Sequence, residues 1–306
     1  MTRKNKKTRV GRPPYSFILI CTIPTLLLLI VFMIYPTLNA LFLSFTNIRS
    51  IGMGGDVEFI GLQNYIDLFT RDRNFIASMV NTLKLLAVVP VITLFFSLVL
   101  AFLLTQSKLK EKGVYRVLFF LPSIISMAVV AIVWSLIFDP RSQGVANQVL
   151  GFFGAPGVAW LGDPRFALAC IGFVLIWQAT GYYMVMHIAA IDSISNDIYE
   201  AAAIDGAGAL SKFFRITVPL LRDPIGITYV LSLSGTMSLS YILSNIMTGG
   251  GPGNASLVMV QHMYNMAFGA SANIGYAMAI TVIALLISIT LSVISRRISY
   301  QNENSK

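Results

Sequence analysis

Groups able to act as acid, base or nucleophile are sparse and scattered: 13 acidic side chains, two histidines and two cysteines in 306 residues. Cys21 and Cys170 lack metal-ligand spacing and read as small buried hydrophobes. Lys84 and His187 alone place an ionisable group well inside long apolar runs. A packed histidine and a lysine reaching outward account for both, whereas a proton relay or buried ion path needs more. His262 has no partner pattern. The run Thr248-Gly-Gly-Gly-Pro-Gly253 resembles a phosphate cradle but lacks the lysine and the serine or threonine of a nucleotide loop. It cannot continue a helix and must turn. No catalytic residue and no metal site are expected, and any ATP hydrolysis must come from a partner. Noncovalent chemistry remains. Gln178 and Tyr182 are four residues apart and share a helix face, as do Thr236 and Ser240, and such faces can hydrogen-bond and stack on a polar solute. Serine and threonine in apolar helices also bond backbone or a neighbouring helix, which is the competing reading.

The elements that carry these groups are too apolar for water. Hydrophobic residues make up 56%, charged ones 11%, and the mean hydropathy is +0.75. A spanning helix needs roughly 20 apolar residues to cross about 30 Å of hydrocarbon. Six stretches qualify: 17–45, 77–104, 117–138, 166–191, 225–247 and 272–294. They lack the alternation of a membrane barrel, so the expected fold is an all-α polytopic membrane protein with six transmembrane helices. Sixteen basic residues fall on one face: the tail from Arg3 to Arg12, Lys108 to Arg116, Lys212 to Arg222, and Arg296 to Lys306. Five (Arg49, Arg71, Arg73, Arg141 and Arg165) fall on the other. The first face, with both termini, is therefore expected to be cytoplasmic. The net charge of +9 sits beside helix ends, where it meets anionic membrane lipid, and nucleic acid is not an expected partner. The first apolar run is longer than a signal-peptide core and reads as a retained span.

Pro24 and Pro36 can kink the first span and suit it to the rim of the bundle. After Gly52, Gly54 and Gly55, the segment Phe59-Ile-Gly-Leu-Gln-Asn-Tyr65 and Ile66 to Phe69 predict a short amphipathic helix, lying on the membrane or simply packed. Glycines and prolines from Asp139 to Arg165 predict a compact, partly helical loop. No internal repeat of the secondary-transporter kind is evident.

The connection between the fourth and fifth spans is the most informative stretch. It reads Ile198-Tyr-Glu-Ala-Ala-Ala-Ile-Asp-Gly-Ala207, then Gly-Ala-Leu-Ser-Lys-Phe-Phe-Arg-Ile-Thr-Val-Pro219. A helix should begin near Asn196 or Asp197 with acids in its first turn, break at Gly206 and Gly208, and restart with an apolar face toward Pro219. That makes a knob suited to another protein's cleft. The pattern Glu200-Ala201-Ala202, Gly206, Ile216 and Pro219 resembles the EAA loop of ATP-binding-cassette importer permeases, with Val218 where the family usually has leucine. The stretches Phe59 to Tyr65, Tyr115 to Pro122, Trp134 to Pro140 and Thr248 to Pro252 are similar to the carbohydrate-uptake permeases of maltose and glycerol-phosphate type.

The resemblance implies the type I importer permease fold and a permease domain over 77–294 with its coupling loop at 196–219. Residues 1–76 hold the tail, first span and amphipathic segment, and 295–306 a cytoplasmic tail. It implies a prokaryotic inner membrane and, as partners, a second homologous permease, two ATPase subunits binding ATP and magnesium, and an extracytoplasmic solute-binding protein. Contact with the ATPase is implied for Glu200, Ala201, Ala202, Asp205, Gly206, Phe213, Ile216 and Pro219. Alignment by the shared motifs puts the maltose-type path on Ser123, Met127, Gln178, Ala179, Tyr182, Met237 and Ser240. The methionines argue against maltose itself. Rival readings are a permease of this class for glycerol-phosphate, polyamine or another polar solute, and a self-contained secondary transporter, which would need intramembrane charges or broken repeat helices.

Overall fold

The computed structural model describes residues 15–49, 57–106, 110–141, 144–270 and 272–301. The tail residues Arg3 to Arg12, the glycines Gly52, Gly54 and Gly55, and Lys108 and Lys306 lie outside them. Helix α1 (Tyr15–Leu29) passes through a π-helical turn at Ile30–Ile34 into α2 (Tyr35–Leu43). Pro36 offers no N–H to the turn before it, and the widened turn accommodates its ring. None of the most apolar window of this span is buried by the rest of the chain, so it does sit at the rim. Cys21, expected to be buried, is exposed for the same reason.

A short helix α3 (Gln63–Thr70) leads to the long α4 (Arg73–Gln106). The third expected span departs from expectation. It is two helices, α5 (Lys112–Ile124) and α6 (Met127–Ile137), bent by 96°. Pro122 withdraws a donor from the last turn of α5, and Ile125 and Ser126 are extended (ψ 136° and 132°). A hydropathy window sums composition and cannot register such a break. Then come α7 (Val145–Phe152) and α8 (Ala167–Asp192). The knob is α9 (Asn196–Ile204), α10 (Ala209–Lys212), a π-helical turn at Phe213–Thr217, and α11 (Val218–Leu220). Helix α12 (Arg222–Leu243) runs on through a π-helical turn at Ser244–Thr248, followed by α13 (Met259–Phe268) and α14 (Ile274–Gln301). Five continuous helical spans and the bent pair are long and apolar enough to cross a bilayer, and no named strand occurs among the described residues.

Helices α4 and α8 are the axis. Around them pack α6 and the end of α12, through Val89, Met127, Val130, Ile171, Val174 and Leu243. Helix α5 crosses α8 at Gly181, where an added Cβ would lie 1.8 Å from the Phe119 carbonyl oxygen. Only glycine permits that approach. His187 is fully buried in the middle of this frame, Nδ1 3.0 Å from Ser97 Oγ on α4 and Nε2 3.0 Å from Thr228 Oγ1 on α12. Its two ring nitrogens join three helices, in keeping with a packed histidine.

Asparagines fasten the loops at the opposite end from the knob. Asn64 Nδ2 donates to the carbonyls of Ser44 and Thr46, 2.8 and 2.9 Å away, so the amphipathic segment is packed against the end of the first span. Asn81 Nδ2 on α4 donates to the Asn254 and Leu257 carbonyls at 3.0 Å each. Gly249, Gly250 and Gly253 take φ of 62°, 88° and 56°, making the turn expected after Thr248. Asn147 Oδ1 accepts from Val158 N and Trp160 Nε1, each at 3.0 Å, and organises the loop of 139–165. His262 does have partners, contrary to expectation. It is buried, with Nε2 2.8 Å from Asp72 Oδ2, which also accepts from the Tyr276 hydroxyl at 3.0 Å.

Candidate functional site

Two features lie along α8. The first is a cavity of about 260 Å³ beside its middle, between α4, α5 and α12. Four of the seven positions expected on a solute path line it: Ser123 from the last turn of α5, and Gln178, Ala179 and Tyr182 from α8. Thr236 of α12 joins them, with Val89 and Leu175 as apolar wall. The other three lie elsewhere. Met127 is buried in the core between α4, α6 and α8, and Met237 packs with Leu86 and Leu233. Ser240 is buried and donates to the Met237 carbonyl at 3.0 Å.

Hydrogen bonding separates the lining residues. Ser123 Oγ donates to the Phe120 carbonyl at 2.6 Å. The Gln178 amide and the Tyr182 hydroxyl have no protein partner among the described residues, and neither residue is buried. Such groups are free to take a hydrogen-bond partner from outside the chain, water or solute. Tyr182 stands edge-on to Tyr183, centroids 5.2 Å apart at 81°, which leaves part of its ring exposed to the cavity. Tyr183, Ser232 and Gly235 also line the cavity. The sequence held a signal for Ser232, at i−4 from Thr236, but none for the tyrosine.

The second feature is the knob at the end of α8. Ser195 caps α9, its Oγ accepting from Asp197 N at 3.3 Å, and Asp197 lies in the first turn, where the helix dipole favours an acid. Gly206 ends the helix with φ 78°. The knob is bolted to the bundle rather than hung from it. Tyr199 is buried with its hydroxyl 2.9 Å from Thr217 Oγ1. The Phe213 ring meets Phe102 of α4 edge-on, centroids 5.2 Å apart. Of the residues expected to face a partner, Phe213 and Ile216 are thus packed against the chain's own core. Glu200, Ala201, Asp205, Gly206 and Pro219 are exposed and Ala202 is half-buried. A crest of large apolar side chains stands out beside them: Ile204, Leu210 and Phe214, exposed by 87%, 76% and 57%. None of the three is among the contacts expected from the sequence, although Phe214 belongs to the expected apolar helix face. The signal for Ile204 and Leu210 was an apolar residue on each side of the glycine break.

Comparison with known proteins identifies the family and the fold. The family model described as binding-protein-dependent transport system inner membrane component matches residues 94–301. The chain is 36% identical to the probable ABC transporter permease protein YurN of Bacillus subtilis, over 93% of this chain and 94% of that one. It is 32% identical to the diacetylchitobiose uptake system permease protein NgcF of Streptomyces coelicolor, over 87% of this chain and 77% of that one. Among solved structures it resembles, at TM-score 0.79 and 21% identity, a chain of a bacterial ABC transporter involved in import of the acidic polysaccharide alginate, covering 94% of this chain and 96% of that one. That likeness establishes a shared fold.

Proposed function

Since the chain belongs to the family of binding-protein-dependent transport system inner membrane components, we propose that it is the permease subunit through which an ABC importer moves a sugar across a prokaryotic inner membrane. It is a multi-pass membrane transport subunit and not an enzyme. The observation that carries the reading is that one helix, α8, places the unpaired groups of Gln178 and Tyr182 in a cavity at its middle and leads, past Asp192, into the knob that bears the apolar crest. A group that binds solute and a surface that receives force from a partner are thereby mechanically joined.

Gln178 and Tyr182 bind sugar hydroxyls and a ring face, and Ser123, Ala179 and Thr236 complete the lining. A complete pocket for a small ligand holds about 300–1,000 Å³, so the cavity of about 260 Å³ is read as one side of a path whose other side a second homologous permease supplies. The knob, with Glu200, Ala201, Ala202, Asp205, Gly206 and Pro219 around Ile204, Leu210 and Phe214, seats in a groove of the ATPase. Phe213 and Ile216 hold that surface on the bundle. Two ATPase subunits bind ATP and magnesium, and an extracytoplasmic binding protein delivers the sugar. The basic residues of the knob side put that side and both termini in the cytoplasm. Closure of the ATPases moves the knobs, α8 transmits the motion, and the path opens alternately to each side.

The test is co-purification of the ATPase from membranes expressing the whole complex. Leu210→Asp, on the exposed crest, should abolish recovery of the ATPase with a folded permease, because an unpaired charge enters an apolar contact. Full recovery would take the crest out of the interface.

A further inference from the structure

A groove of about 590 Å³ lies on the other side of Val89 from the solute cavity, between α4 and α8. Lys84 and Arg165 stand at one end of it, and Val88, Phe96, Leu168 and Phe173 form its walls. Lys84 is exposed on a helix that crosses the membrane, and no acid pairs with it among the described residues. Arg165 is tied to Asp163, Nη2 to Oδ2 at 2.6 Å, so Lys84 carries the net charge of the groove. From Lys84 to the end of α4 at Gln106 is about 33 Å, close to the roughly 30 Å of a hydrocarbon core, which sets Lys84 at the boundary of head groups and chains. Phe96, twelve residues further on, is about 18 Å deeper, near the midplane. The groove is therefore one leaflet long, cationic at its mouth and apolar along its length.

We propose that this groove holds an anionic phospholipid, its phosphate on Lys84 and an acyl chain along Val88, Phe96, Leu168 and Phe173. Lys84 has no acidic partner among the described residues, and the phosphate of a lipid complements its charge at the membrane boundary. The apolar walls exclude water beneath the head group and match a chain rather than a soluble anion. The lipid would stiffen the contact between α4 and α8 while leaving the solute cavity open.

The test uses the assembled transporter, extracted in mild detergent and analysed by native mass spectrometry with lipid identification. Wild type and Lys84→Arg should retain an anionic phospholipid. Lys84→Gln should reduce its occupancy about five-fold, and Leu168→Trp, which fills the groove without touching charge, should reduce lipid of any class. A photo-crosslinking amino acid at Val88 should be captured on lipid. Equal anionic lipid in wild type, Lys84→Gln and Leu168→Trp would overturn the proposal. Capture of the Val88 probe on a polypeptide would do so as well, assigning the groove to a neighbouring subunit.

Discussion

Single side chains divide according to whether the protein already satisfies them. Ser240, Ser97, Thr228 and His187 spend their polar atoms on backbone or on each other, whereas Gln178 and Tyr182 do not. Gln178→Ala should raise the KM for sugar uptake about three- to ten-fold, the value of one hydrogen bond, with kcat changed less. Met237→Leu, a volume-conserving change in the core, should leave KM where it is. Equal kinetics in the Gln178 and Met237 variants would remove the cavity from the path. Asp72 offers a second measurement. Burial pushes its carboxyl up, but the Phe75 N–H, His262 and the Tyr276 hydroxyl outweigh that and hold it below its usual value of 3.8. Stability from these bonds is present above 3.8 and is lost as pH falls through the lower folded value. Thermal unfolding should therefore show a fall in Tm on acidification below 3.8 that Asp72→Asn flattens. This lock was illegible in the sequence, since His262 and Asp72 are 190 residues apart and no local pattern links them.

Elements were read well where periodicity or punctuation decides them and poorly where backbone geometry does. The start of α9 near Asn196, the breaks at Gly206 and Gly208, the turn after Thr248 and the helix after Leu62 all follow from caps and glycines. The 96° bend between α5 and α6 does not, because Pro122 is compatible with a kinked span as well as a broken one. The same limit explains why Met127, Met237 and Ser240 do not line the cavity: alignment by motif fixes a helix, while the bend and the rotation of α12 decide which face meets the cavity. Two glycines, Gly181 at a tight crossing and Gly206 in a left-handed turn, should respond differently. At Gly181 an added Cβ sits 1.8 Å from the Phe119 carbonyl oxygen, so Gly181→Ala must part α5 from α8 and widen the cavity. A loss of about 1–3 kcal/mol is expected, visible as a lower Tm and poor recovery of the complex. At Gly206 the Cβ meets nothing within 4 Å and only φ is strained, so Gly206→Ala should cost about 1–2 kcal/mol locally and leave the permease assembled. A Tm for Gly181→Ala matching wild type would show that α5 does not hold its place through that contact.

At the scale of the molecule, the fold leaves apolar surfaces that lipid or other subunits must cover. The first span has none of its apolar window covered by the rest of the chain, the cavity beside α8 holds only about 260 Å³, and the knob exposes Ile204, Leu210 and Phe214. A chain with no nucleotide loop must take its energy from another, and in the proposed mechanism α8, which runs from the cavity toward the knob, carries the motion. The most direct measurement is uptake of radiolabelled oligosaccharide by proteoliposomes containing the full complex, the loaded binding protein outside and ATP within. Wild type should accumulate sugar only with hydrolysable ATP. The crest variant Leu210→Asp should fail to accumulate it while its permease still assembles with the second permease. Accumulation without ATP, or undiminished ATP-driven accumulation by the crest variant, would contradict the account.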